Sequence, residues 1–138
     1  MFIVVTGYYK PENQGAILMK SVIEIRSYII KDGKRDEFHR LVSLDSYPLM
    51  MKWGIDVVAF GPSVHDENSY VLMRAFTDDA ERIASQEKFY GSDDWRNGPR
   101  KSIVELIEND TNIVLEVNEN TILAIKDNHI GIDSVPIM

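Results

Sequence analysis

Glu24, Arg26 and Tyr28 alternate within the β-branched run of residues 21–30. A strand there would aim all three at one face of a sheet. Arg74 sits in a second such run, residues 70–76, with Tyr70, Leu72 and Phe76 on its side. A carboxylate among guanidiniums can do one of two things. It can form a satisfied ion pair that holds strand register, because a buried charge without a partner is expensive. Or the group can line an apolar concavity and bind a small acidic or carbonyl ligand, with arginine as the fork-shaped donor. Tyr28 would then be a proton donor or acceptor beside the ligand, and His39 is the other candidate for that role.

Two tryptophans widen the search. Trp53 and Trp95 could wall a pocket between helices and sheet, and Arg96 and Arg100 beside Trp95 could admit an anion to it. The ligand-binding candidates are therefore Glu24, Arg26, Arg74, Trp53, Trp95 and Arg96. Other chemistries find little support. His39, His65 and His129 share no metal-ligand spacing, so neither a metal site nor a cofactor is expected. No serine lies in Gly-x-Ser-x-Gly, and no glycine-rich loop cradles a phosphate.

The elements that must position these residues follow from periodicity and turn signals. Residues 21–30 read as a strand, and Asp32-Gly33 turns the chain. A helix from about Lys34 carries Phe38, Leu41, Val42 and Leu49 near one stripe, with a kink or restart at Pro48 and a cap at Gly54. Strands follow at 55–60 and 70–76. Thr77 or Asp78 caps the next helix, and Asp78 with Glu81 fits a capping-box pattern. Pro99 opens a further helix, and residues 113–117 form the fourth strand. The order is β-α-β-β-α-β, the ferredoxin-like α+β arrangement, with both helices on one face of an antiparallel sheet.

Face assignment then predicts an assembly. Val71, Met73 and Ala75 are small or flexible and suit the helix side, together with Ile23, Ile25 and Ile29. Val22, Glu24, Arg26, Tyr28 and Ile30 would point away, with Tyr70, Leu72, Arg74, Phe76, Val58, Phe60, Val114 and Glu116. So large an apolar face exceeds what a monomer leaves bare. Two-fold self-pairing is the commonest remedy, so a homodimer with sheets packed face to face is expected.

Composition sets the surroundings. The 138 residues suit one domain. Residues 1–18 read as an extension broken off by Pro11-Glu12-Asn13-Gln14-Gly15. Gln14-Gly15-Ala16 can be encoded with a ribosome-binding sequence just upstream of Met19, so Met19 is expected to be the natural start. The domain spans 19–117, and the tail 118–138, with apolar stretches at 122–125 and 130–137, would add an edge hairpin or arm a neighbour. Fifteen basic against 22 acidic residues leave a net charge of −7, a surface that repels phosphate, so neither nucleic acid nor membrane is an expected partner. The absence of cysteine suits a reducing compartment, and a cytoplasmic location is expected.

Over residues 21–117 the chain resembles the NIPSNAP family, within the dimeric α/β-barrel superfamily. The resemblance is carried by Ile23-Glu24-Ile25-Arg26-Ser27-Tyr28, Gly33-Lys34-Arg35-Asp36-Glu37-Phe38 and Tyr47-Pro48-Leu49 before Trp53-Gly54-Ile55. It continues in Tyr70-Val71-Leu72-Met73-Arg74-Ala75-Phe76 and Asp93-Asp94-Trp95-Arg96. Met73 departs from the pattern, which often has tryptophan there. The resemblance implies a ferredoxin-like monomer and a barrel-forming homodimer that binds a small ligand or a protein partner. It also implies an alternative, a small cofactor-independent monooxygenase or isomerase. Such an enzyme would use Tyr28 or His39 for proton transfer and Arg26 or Arg74 to hold an enolate.

Overall fold

The computed structural model describes residues 19–129, so the expected N-terminal extension 1–18 and the apolar stretch at 130–137 lie outside the described residues. Strand β1 (Val22–Ile30) leads to helix α1 (Arg35–Leu41), a π-helical turn over Val42–Ser46, and α2 (Tyr47–Lys52). Strands β2 (Asp56–Pro62) and β3 (Ser69–Phe76) form a hairpin. Helices α3 (Asp79–Tyr90), α4 (Asp93–Arg96) and α5 (Arg100–Val104) precede β4 (Ile107–Glu116), and α6 (Glu119–Asn128) ends the described chain. The sheet order is β2-β3-β1-β4 with every neighbour antiparallel, the ferredoxin-like topology that the element order predicts.

Local sequence explains the boundaries. Proline lacks an N–H, and its ring crowds the carbonyl four residues back. Pro48 sits in the first turn of α2, and the π turn just before it lets Tyr47 N–H reach the Val42 carbonyl instead. The expected restart is therefore a wide turn followed by a new helix. Gly54 ends α2 with φ +77°, a conformation that favours glycine. The Asp78 carboxylate accepts from Glu81 N–H at 2.7 Å, and the Glu81 carboxylate accepts from Thr77 N–H at 2.6 Å, so both residues contribute to one reciprocal cap. At the next start, Ser92 Oγ accepts from Trp95 N–H and fixes the tryptophan's place on α4.

The face assignment is inverted. Tyr28, Leu72 and Phe76 lie beneath the helices, not on an uncovered sheet face. Tyr28 packs on Phe38 of α1 with ring centroids 5.4 Å apart, and Phe38 meets Tyr70 edge-on at 4.9 Å. Val22, Ile30, Tyr70, Leu72 and Phe76 share one buried cluster with Phe38, Met50, Phe89 and Trp95. The residues grouped together in sequence do share a face, with one exception. A bulge at Val58 shifts register between Val57 and Ala59, placing Val57 and Phe60 under the helices and Val58 on the reverse side. The physical reason is volume. Helices stand off a sheet by roughly 10 Å, and long side chains fill that layer. The short residues Ala59 and Ala75 instead admit the close approach of α6, whose Ile122 is buried against them and Ile23.

Two further corrections concern the C-terminal part. Strand β4 begins at Ile107, six residues before the expected start at 113. Residues 122–125, expected in an edge hairpin or an arm, form part of helix α6. That helix is tied down by Lys126 Nζ on Asp56 at 2.6 Å and by the Glu119 carboxylate accepting from Lys20 N–H at 3.2 Å. Beyond its cover, Ile29, Ile113 and Leu115 stay exposed on the reverse face.

Gly98 is a tight point of the chain. A Cβ there would collide with the Asp94 carbonyl oxygen. Gly98→Ala must push α4 away from α5 and disturb Trp95 with it. We expect a loss of about 1–3 kcal/mol, typical of an overpacked site, read as a lower denaturation midpoint. An unchanged midpoint would mean that the α4–α5 connection is not packed this tightly.

Candidate functional site

At the centre of the sheet, beneath α3, lies a fully buried ion pair. Glu24 and Arg74 face each other across β1 and β3, and each side chain is 0% exposed. Arg74 Nε donates to Glu24 Oε1 at 2.9 Å, and Nη2 lies 2.7 Å from the same oxygen, close enough to pair but off line for a hydrogen bond. Gln86 Nε2 donates to that oxygen at 2.7 Å. The other oxygen accepts from Asn112 Nδ2 at 2.8 Å and Arg82 Nη1 at 3.3 Å. Arg74 Nη1 donates to the Tyr90 hydroxyl at 2.7 Å. Burial alone would raise the Glu24 pKa, but Arg74, Gln86, Asn112 and Arg26 together hold it below the ordinary 4.5.

A cavity of about 450 Å³ adjoins this cluster, between the sheet and helices α1, α3, α4 and α5. Tyr28, Phe38, Tyr70 and Leu72 form its buried end, while Arg100, Val104 and Asp110 are exposed at its mouth. Arg26 lines the wall, with Nη1 donating to Asp110 at 3.1 Å and Nη2 lying 3.7 Å from Glu24. Its Nε–H is buried and has no hydrogen-bond partner. Tyr28 is only 9% exposed, and its hydroxyl makes no hydrogen bond with the described residues. Burial, then the neighbouring Tyr90, push the Tyr28 phenol well above its usual pKa, so it stays a protonated donor. The cavity thus offers an apolar body with a few convergent polar groups, the usual constitution of a small-molecule site.

The sequence candidates divide. Arg26, Tyr28 and Trp95 line the cavity. Glu24 and Arg74 stand behind its wall. Trp53 lies outside it, 38% exposed, with Nε1 donating to Asp94 at 3.0 Å. Trp53 touches Phe89, which in turn packs on Trp95 at 5.4 Å. Arg96 is exposed and does not line the cavity, whereas its neighbour Arg100 does. His39 also lies outside. It shares a 2.6 Å hydrogen bond between Nδ1 and the Tyr70 hydroxyl, and burial lowers its pKa below 6.5. Gln86, Tyr90, Asp110 and Ser46 escaped the sequence reading. Asp110 and Asn112 lie in the part of β4 that precedes the strand expected at 113–117. Gln86 and Tyr90, four apart, could have signalled a polar stripe turned inward on α3.

No protein-family model matches the chain, and no curated protein does. Solved structures share its fold. A NIPSNAP family protein of unknown function from Agrobacterium tumefaciens superimposes with a TM-score of 0.66 at 20% identity, over 71% of this chain and 88% of its own. An uncharacterised NIPSNAP domain protein from Burkholderia xenovorans gives 0.62 at 21%, over 68% and 91%. A Bordetella bronchiseptica protein provisionally named an antibiotic biosynthesis monooxygenase gives 0.57 at 19%, over 70% and 96%. The resemblance read from sequence is therefore met in three dimensions, and at these identities it is a likeness of fold.

Proposed function

We propose that this chain is a NIPSNAP-like cytoplasmic homodimer that binds a small molecule in the cavity beneath its helices. The observation that carries the reading is the unpartnered Tyr28 hydroxyl, nine-tenths buried at the inner end of a 450 Å³ space. The hydroxyl faces that space with no acceptor among the described residues, so a ligand acceptor can take its hydrogen bond. The dimer rests on the reverse sheet face, not on the residues first assigned to it. Ile29, Ile113 and Leu115, with the half-buried Ile25, Val71 and Met73, form an apolar strip that α6 leaves uncovered. Pairing two such strips about a two-fold axis would bury both.

A second reading makes the protein a cofactor-independent monooxygenase or isomerase. Tyr28 beside Arg26 favours it, because a protonated phenol and a guanidinium can hold an enolate. Arg74 and His39 drop out of that scheme, one sealed in its ion pair and the other bonded to Tyr70.

Native mass spectrometry of the full chain tests the main reading. The expected species is twice the 15.8 kDa chain, releasing a small organic molecule on activation. A bare monomer at micromolar concentration would remove both the dimer and the bound molecule. Oxygen uptake on adding the released compound, lost in Tyr28→Phe, would mark an oxygenase instead of a binding protein.

A further inference from the structure

The charges around the cavity do not cancel. Arg26 is neutralised by Asp110, and the cluster behind the wall balances internally, Glu24 and Asp79 against Arg74 and Arg82. Arg100 is left over. It lies at the mouth, on the first residue of α5, and makes no ion pair or hydrogen bond with the described residues. The cavity therefore carries one uncompensated positive charge in a chain whose net charge is −7. Inside, Phe38, Leu72, Trp95, Ile103 and Ile107 make the lining apolar, with aromatic surface contributed from two sides. Tyr28 O–H and Arg26 Nε–H are donors still lacking acceptors.

We propose that the cavity takes an amphipathic organic monoanion, an aromatic or alicyclic skeleton bearing one carboxylate or enolate. It would lie with its charge at Arg100 and a hydrogen-bond acceptor at Tyr28. This rests on the ligand-binding reading above and adds the chemical class. A cation would meet the spare guanidinium at the entrance. A neutral hydrocarbon would fill the apolar space but leave the Tyr28 hydroxyl unpaired, a cost that disfavours it. A charge-assisted hydrogen bond at the mouth and an aromatic body in the interior together select for the amphipathic acid.

Matched probes test the class separately from the cavity. The full-length protein is titrated calorimetrically with 4-acetyl-1-naphthoate and with the uncharged 4-acetyl-1-naphthamide, whose ring ketone is the acceptor for Tyr28. The expected result is about tenfold tighter binding of the acid, as one charge-assisted contact at a half-open mouth would give. Arg100→Gln, an exposed position whose change leaves the core intact, should erase that preference while the amide binds as before. Raising the salt from 50 to 500 mM should weaken the acid alone. Tyr28→Phe should weaken both probes. Equal binding of acid and amide, unchanged in Arg100→Gln, would overturn the anion assignment and leave the ligand cavity standing. Failure of both probes to bind would overturn the cavity reading and the class with it.

Discussion

Replacing Glu24 with alanine is expected to cost roughly 3–5 kcal/mol of folding stability, the scale set by breaking a buried ion pair from one side. The loss comes from what remains. Arg74 is 0% exposed, and among the described residues Glu24 is its only carboxylate partner. With the carboxylate gone, a guanidinium stays in the core holding only the Tyr90 hydroxyl and the edge of the Met50 sulfur. A domain of this size is stable by about 5–15 kcal/mol in total, so the variant should unfold at a small fraction of the parent's denaturant midpoint. The double variant Glu24→Leu with Arg74→Met should recover most of the loss, because two matched apolar groups leave no charge stranded. A single variant with an undisturbed midpoint would mean that Arg74 finds water.

The same carboxylate sets an acid limit. Its folded pKa lies below the ordinary 4.5, so above that value folded and unfolded chains both carry the charge and the cluster contributes fully. As the pH falls through 4.5, the unfolded chain takes up the proton first. Stability declines until the folded carboxyl is itself protonated. Exposed carboxylates such as Asp66, drawn down to about 2 mainly by hydrogen bonds from Ser69 and Asn68, add to the slope. Comparison with Glu24→Gln isolates the buried contribution. The difference in stability between parent and variant should be constant above pH 5 and shrink below it. A difference that does not change with pH would remove the ionised Glu24 from the account.

Periodicity made the parity of each strand legible. The alternation of Glu24, Arg26 and Tyr28, and its match to Tyr70, Leu72 and Arg74, follows from the two-residue repeat of a strand. What periodicity does not carry is which of two faces meets the helices. Both faces here are apolar, and matching the small or flexible Val71, Met73 and Ala75 to the helix side selects the wrong one. Glu24 and Arg74 can be buried because six other side chains satisfy them, drawn from α2, α3, β1 and β4. Only the packed fold brings those donors together. The bulge at Val58 was hidden for a related reason, since Val57, Val58 and Ala59 are all apolar and no alternation marks the inserted residue. Trp95 and Arg100 were legible as pocket residues through their types. Tyr28 was placed on the correct strand parity but the opposite side of the sheet, and that side decides whether its hydroxyl meets a neighbour or a cavity.

The reverse face supplies the remaining large effect. Ile113→Lys is expected to turn the proposed dimer into a folded monomer. Ile113 lies opposite Ile25 on β1 and is 58% exposed in the single chain, so a lysine there can extend into water and leave the monomer's stability nearly unchanged. In a face-to-face dimer the same position is covered, and two-fold symmetry buries two ammonium groups at once. Even about 3 kcal/mol for the pair weakens association roughly a hundredfold. Sedimentation equilibrium and far-ultraviolet circular dichroism should therefore disagree in a diagnostic way, with mass halved and secondary structure retained. Leu115→Lys, 45% exposed on the same strand, should act alike. By contrast, Leu123→Lys, on α6 and 43% exposed, tests whether exposure alone is responsible, since that helix covers the sheet without forming the uncovered strip. A dimer that survives Ile113→Lys and Leu115→Lys would have to use another surface. The cavity beneath the helices would then be independent of whatever holds the two subunits together.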